Sequence, residues 1–294
     1  MAADTTSRMN AGTFSLGGDL TVHRLGFGTM QLPGPGVWGP PEDHDEAIRV
    51  LRRAVELGVD FIDTADSYGP YVAEELIREA LHPYPDQVVI ATKAGLTRIG
   101  PIHGRQASDW PPLGRPEYLR QEAVMSLQRL RLDTLDLFQL HRIDPTVPLE
   151  DQIGTLKDLK DEGKVRHVGL SGVSLDQLRA AQRIVSIASV QNQFNLVSRA
   201  AEDVLEACTR ESIAFIPFIP LAVGQLAGNG GALDEMAARH HASPAQIALA
   251  WLLKRSPVMI PIPGTSSVEH LEDNLAAREI ILSDDEFDEL TQMN

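Results

Sequence analysis

Cysteine, cationic side chains and long apolar runs are all scarce in this chain. Cys208 is the one cysteine among 294 residues, which excludes an internal disulfide and suits a reducing compartment. Lys and Arg number 26 against 41 Asp and Glu, a net charge of −15 that would repel phosphate backbones and anionic membranes. Nucleic acid and membrane are therefore not expected partners. No apolar run approaches the roughly 20 residues of a membrane span, and MAADTTSRMNAG at the N-terminus has no apolar signal core. There is no HExxH, no His-x-His and no paired cysteine, so no metal site is expected and zinc hydrolysis is unsupported. Gly26-Phe27-Gly28 is not a dinucleotide fingerprint, because Gln31 stands where the third glycine is needed. What remains is 43% hydrophobic and 23% charged, an ordinary soluble composition expected in the cytoplasm.

Apolar strand-like runs at 24–28, 59–63, 88–92, 134–140, 165–170, 188–192, 213–218 and 258–262 alternate with helical stretches. Several, such as VVIAT, LDLFQL and VMIPI, are continuous, as in parallel strands buried on both faces. Ile48, Leu51, Ala54 and Val55 mark one face of a helix near 44–57. Leu119, Ala123, Leu127 and Leu130 do the same near 117–131. Ahead of them, two alternating runs flank Gly17-Gly18 and predict a β-hairpin. The pattern predicts a single α/β domain over 1–294, a (β/α)8 TIM barrel with an N-terminal β-hairpin. A doubly wound open sheet is the alternative. Long connections at 94–116 and 219–231 are candidate binding elements.

A parallel barrel carries its chemistry at the C-terminal ends of its strands. Those ends give Gly28 and Thr29, then Asp63, Lys93 and His141, with Tyr68 five residues beyond Asp63 in FIDTADSYG. Singly, an Asp can cap a helix, a Lys can be solvated and a Tyr can be packing. Converging on one barrel mouth, the four suit proton donation by a phenol. Tyrosine's reference pKa of about 10 is high for an acid near neutrality. An adjacent ammonium is expected to lower it, with Asp63 holding the lysine and His141 orienting a substrate oxygen. In IPIPGTSSVEHLEDNLAA, a Pro-Gly turn is followed by Thr265, Ser266 and Ser267 opening a helix. That reads either as an anion site or as simple N-capping.

The motifs FIDTADSYG, ATK, LDLFQLHR, KVRHVGLSG, VQNQFNL, FIPL and IPGTSSVEHLEDN together resemble the aldo-keto reductases, over about Arg24 to Asn274. The resemblance implies an NADPH-dependent reduction of an aldehyde or ketone, with Asp63, Tyr68, Lys93 and His141 as catalytic residues and Tyr68 as general acid. It also assigns Asp63, Gly28, Thr29 and Met30 to the nicotinamide end, and Ser171 and Gln191 to the carboxamide. Phe218 falls at the stacking position, while Leu221, Gly224 and Leu226 fall in a loop over the pyrophosphate. Gly264, Thr265, Ser266, His270 and Asn274 match the adenosine-phosphate segment.

Three positions depart from the family's pattern. Gly172 stands where Asn is frequent, removing a carboxamide contact. Gly264 and His270 replace a Lys and an Arg, which weakens discrimination for a 2′-phosphate and leaves NADH as the alternative cofactor. FGTMQLPGPGVWGPP, DSYGP, REALHPYPD and ALAWLLKRSP resemble a bacterial branch that includes pyridoxal reductases, implying an aromatic aldehyde such as pyridoxal reduced to pyridoxine. Trp38 and Trp110 are candidate pocket walls or packing anchors, and loops 29–43 and 94–116 are expected to select the small-molecule carbonyl substrate. Two other readings compete: a Schiff-base aldolase using Lys93, and a non-catalytic nucleotide-sensing subunit.

Overall fold

Alternating side chains along short parallel strands build the centre of the molecule, in a computed structural model that describes residues 11–102, 110–221 and 232–293. The hairpin pairs β1 (Thr13–Leu16) with β2 (Leu20–His23). Seven parallel strands follow in sequential order: β3 (Phe27–Gly28), β4 (Phe61–Asp63), β5 (Val89–Ala94), β6 (Leu135–Leu140), β7 (Val165–Ser171), β8 (Ile187–Gln193) and β9 (Ala214–Phe218). Helices α1 (His44–Glu56), α2 (Val72–Leu81), α3 (Pro116–Leu130), α4 (Leu149–Asp161), α5 (Leu175–Gln182), α6 (Glu202–Glu211), α7 (Ala232–His240), α8 (Pro244–Arg255), α9 (Val268–Ala276) and α10 (Asp284–Thr291) complete the order. The architecture is a TIM-like α/β fold preceded by a hairpin.

Two of the expected strands differ from the sequence reading. The run 24–28 is a strand only at Phe27–Gly28, and 258–262 is not a regular strand at all. That last segment nevertheless closes the sheet. Phe215 N–H donates to the Val258 carbonyl (2.8 Å), Ile260 N–H to the Phe215 carbonyl (2.8 Å) and Gly26 N–H to the Pro261 carbonyl (2.9 Å). Gly28 and Gly264 make an isolated parallel bridge. Pro261 and Pro263 have no N–H to donate, so a continuous ladder cannot form there. Both glycines are required by the closeness of the seam. A Cβ on Gly28 would lie 2.7 Å from the Ile262 carbonyl oxygen, and one on Gly264 would lie 2.7 Å from that of Gly28. Arg24 ties the seam from outside, donating to the carbonyls of Leu253, Ser256 (2.7 Å) and Met259 (3.3 Å).

Strand alternation sorts the core into two layers. Inward residues Phe61, Val89, Ala91, Leu137, Ala214, Ile216, Ile260 and Ile262 form an apolar cluster that Leu16 and Val22 of the hairpin plug from below. Asp19 anchors the plug, bonded to His167 (2.6 Å) and Arg166 (2.9 Å). Outward residues such as Phe27, Ile90, Phe138 and Val168 pack against the helices. Among the described residues, no helix is long and apolar enough to cross a membrane.

Candidate active site

Two residues above the apolar floor, the same inward faces turn polar. Asp63 follows Phe61 on β4, Lys93 follows Ala91 on β5, and Gln139 follows Leu137 on β6. Gln191 extends the layer from β8. Lys93 is fully buried, and its three ammonium hydrogens meet Asp63 Oδ2 (2.7 Å), the Thr64 carbonyl (2.8 Å) and Tyr68 Oη (3.2 Å). Asp63 Oδ1 accepts from Gln191 Nε2 (2.8 Å) and, more weakly, from Gln139 Nε2 (3.4 Å). Thr29 donates through N–H and Oγ1 to the Asp63 carbonyl, both at 3.0 Å. A buried ion pair is stable only when its remaining hydrogen-bonding capacity is met, and the two glutamines do that here.

Tyr68 is buried at 5% exposure, with Lys93 Nζ 4.9 Å from its ring centre and bonded to its oxygen. The expectation of a lowered phenol pKa does not hold. Burial pushes the Tyr68 phenol above its ordinary value, outweighing the opposing pull of the Lys93 ammonium. Burial works against the Lys93 ammonium, but Asp63 and Tyr68 together outweigh it and hold that group above its usual value. His141 lies edge-on to Tyr68 at 5.9 Å between ring centres, with Nδ1 3.3 Å from Ser67 Oγ. Burial, then the charges of Lys93 and Arg142, push the imidazole well below its ordinary pKa, so it is neutral at neutral pH.

Trp110 stands edge-on to both Tyr68 and His141, at 6.2 Å from each. With Met30, Val37 and Ile102 it makes an apolar rim around Tyr68. Trp38 stands farther out, 37% exposed, with the Arg98 guanidinium 5.5 Å from its ring and 3.9 Å from that of Trp110. A neighbouring cavity of ≈ 510 Å³ is lined by Met30, Pro33, Val37, Glu42, Asp43 and Ser266 among others.

On the opposite side of the mouth Phe218 and Leu221 are half-buried, and Ser171 is buried. Gly224 and Leu226 lie outside the described residues. Thr265 and Asn274 are buried and His270 is exposed. The N-terminus of α9 is already engaged. Ser267 Oγ accepts from His270 N–H (3.4 Å), Thr265 Oγ1 from Ser267 N–H (3.1 Å), and Glu46 Oε1 from Val268 N–H (3.0 Å). These contacts cap the helix through Thr265 and Ser267, with Glu46 added from α1. No group of His, Cys, Asp or Glu among the described residues could hold a metal ion.

Gln139, Ser67 and Arg142 were missed by the sequence reading. Gln139 had a signal, since it shares the inward face of β6 with Leu137. Arg142 had none, because its neighbours come from other strands. Arg142 Nη1 donates to the His141 carbonyl (2.6 Å) and to Ser171 Oγ (2.7 Å), and the guanidinium lies 5.2 Å from the Phe218 ring centre. Gly172, with φ of 66°, makes this possible: a Cβ there would lie 2.9 Å from Arg142 Cδ and Nε. The side chain lost at position 172 is replaced in space by a guanidinium.

A family model described as the aldo/keto reductase family matches residues 24–294. An uncharacterized oxidoreductase of Schizosaccharomyces pombe is 50% identical over 291 residues, covering 99% of this chain and 92% of that one. Pyridoxine 4-dehydrogenase of Escherichia coli is 44% identical over 283 residues, covering 94% and 96%. An aldo-keto reductase from Klebsiella pneumoniae, solved in complex with NADPH, superposes with a TM-score of 0.81 at 28% identity, over 96% of this chain and 94% of that one. The glycerol dehydrogenase of Gluconobacter oxydans gives 0.85 at 27% identity, over 95% of each.

Proposed function

The chain belongs to the aldo/keto reductase family, and on that premise we propose that it reduces an aldehyde or ketone to the alcohol with NADPH, using Tyr68 as the proton donor. The observation that carries the reading is the dry contact chain Asp63–Lys93–Tyr68, with links of 2.7 and 3.2 Å. Burial keeps the Tyr68 proton in place in the resting enzyme. When that proton passes to the carbonyl oxygen, the Lys93 ammonium is already positioned to stabilise the tyrosinate left behind. Asp63 keeps Lys93 charged, and Gln139 and Gln191 keep Asp63 aimed. His141, being neutral, offers a ring hydrogen bond to the substrate oxygen without adding charge.

The residues present fit a nicotinamide cofactor: half-buried Phe218 supplies an aromatic ring and Ser171 a hydroxyl, both in contact with the Arg142 guanidinium, and Gly28 and Gly264 keep the nearby backbone free of side chains. Bound there, the cofactor supplies the hydride for the carbonyl carbon. The Klebsiella pneumoniae relative with NADPH supports the choice of nucleotide. The Escherichia coli pyridoxine 4-dehydrogenase supports pyridoxal, reduced to pyridoxine, as substrate. The whole chain acts in this reading as a single cytoplasmic barrel. Schiff-base chemistry would need a free amine at Lys93, whereas all three of its hydrogens are engaged and its charge is held up.

Tyr68→Phe is expected to lower turnover of a carbonyl panel containing pyridoxal by about 10²-fold or more, the usual scale for a lost general acid. Nucleotide affinity, measured by fluorescence titration, should stay near wild type. Undiminished turnover would remove Tyr68 as the donor.

A further inference from the structure

Arg98, half-buried on the loop that follows β5, directs every terminal N–H at backbone. Nη1 donates to the carbonyls of Val37 (2.7 Å) and Ser67 (2.9 Å), and Nη2 to those of Gly36 (2.9 Å) and Gly100 (3.0 Å). A guanidinium so engaged has no terminal hydrogen left for a ligand, and its place in the site is that of a brace. It joins the loop after β3, the turn before α2 that carries Tyr68, and its own loop. Backbone bonds tie the same loops together. Ile102 N–H donates to the Gly36 carbonyl (2.9 Å), Gly39 N–H to that of Gly69 (2.8 Å) and Thr97 N–H to that of Pro111 (2.9 Å). Those bonds place main chain, whereas the guanidinium also places a side chain. It lies over the Trp110 ring at 3.9 Å, within the range of a cation stacked on an indole.

The ring so held stands at the reacting groups. The centres of Tyr68, His141 and Trp110 form a nearly equilateral triangle with sides of 5.9, 6.2 and 6.2 Å. A carbonyl oxygen within reach of both Tyr68 and His141 therefore sits beside Trp110, and so does the substituent on its carbon. Resting on the reductase reading above, we propose that Arg98 is a positioning residue that holds Trp110 as a fixed wall of the carbonyl site, and so favours flat aromatic carbonyl compounds over small aliphatic ones. Ring contacts have narrow preferred geometries, and a wall already in place loses no side-chain freedom when substrate binds. A two-carbon substituent has little surface to lay against it. The turn that carries Tyr68 has ties of its own: Asp66 N–H donates to the Lys93 carbonyl (3.1 Å), Tyr68 N–H to that of Ala65 (3.2 Å) and Tyr71 N–H to that of Asp66 (2.7 Å). Loss of Arg98 is thus felt at the wall before it is felt at the proton donor.

The test compares benzaldehyde with propanal as substrates of the full chain with NADPH. Arg98→Met keeps the stem but loses the fork, and is expected to lower the ratio of kcat/KM for benzaldehyde over propanal by about fivefold or more, chiefly through KM for benzaldehyde. Arg98→Lys, whose single ammonium cannot serve four carbonyls, should fall between. Equal losses on both aldehydes would make Arg98 a structural brace only and overturn the proposal. A double-mutant cycle checks the route: Trp110→Ala should lower the same ratio, and adding Arg98→Met to it should change the ratio no further. Additive effects would place the action of Arg98 elsewhere. Acrylamide quenching gives a readout independent of turnover. In a Trp38→Phe background the tryptophans left are Trp110 and the fully buried Trp251, so the accessible emission reports Trp110. Arg98→Met should raise its quenching constant, and an unchanged constant would show that Arg98 does not hold the ring. If Arg98→Met does not fold, Arg98→Lys takes its place, with shifts expected in the same directions. If the wild type reduces neither aldehyde, the reductase reading fails, while the quenching result still judges the hold of Arg98 on Trp110.

Discussion

At Tyr68 two influences act in opposite senses: burial raises the phenol and the Lys93 ammonium lowers it, with burial prevailing. The phenol therefore keeps its proton as pH rises through the ordinary tyrosine value of about 10. His141, pushed down, is already neutral when pH falls to the ordinary histidine value of about 6.5. Consequently kcat/KM for reduction is expected to be flat from about pH 6 to about pH 9. An inflection near pH 6.5 would show that His141 titrates during catalysis. The placement of Asp63 and Lys93 was legible from their strand positions, and Tyr68 from its distance beyond one. Arg142 was not, because its environment depends on Gly172 and Phe218, brought beside it only by the folded sheet. The direction of the Tyr68 shift was also hidden, because a sequence shows the neighbouring charge but not the depth of burial.

Among the elements, the hairpin carries more than its length suggests. Leu16 is fully buried and forms part of the floor on which the polar layer rests. Leu16→Ala is expected to cost about 2–5 kcal/mol of stability, the range for buried leucines that leave a cavity. Urea denaturation reads this directly, and a loss below about 1 kcal/mol would mean the plug is dispensable. The helices were well forecast, with 44–57 observed as His44–Glu56 and 117–131 as Pro116–Leu130. Apolar periodicity was enough for both. The final expected strand was not, since its apolar run looked continuous while Pro261 and Pro263 withheld the donors a ladder needs. At α9, serine and threonine announced a helix start, but Glu46 arrives from α1, distant in sequence.

Over the whole molecule, the net charge of −15 opposes the approach of a polyanionic nucleotide, although Arg142 at the mouth has no carboxylate partner among the described residues. Long-range repulsion reaches about 30 Å at 0.01 M ionic strength and about 8 Å at 0.15 M. The association rate of NADPH is therefore expected to increase with salt over that interval, as stopped-flow quenching would show. A falling rate would mean that the local positive field governs encounter. The seam at 258–264 bears on synthesis as well. Arg24 and Met259, which it joins, are 235 positions apart. A nascent chain carries both β3 and β9 as open edges until that segment has left the ribosome, and open edges are templates for unwanted pairing. The enzyme's vulnerable interval in the cell is thus the time needed to translate the stretch from β9 to Gly264, when chaperone protection of the unfinished sheet matters most.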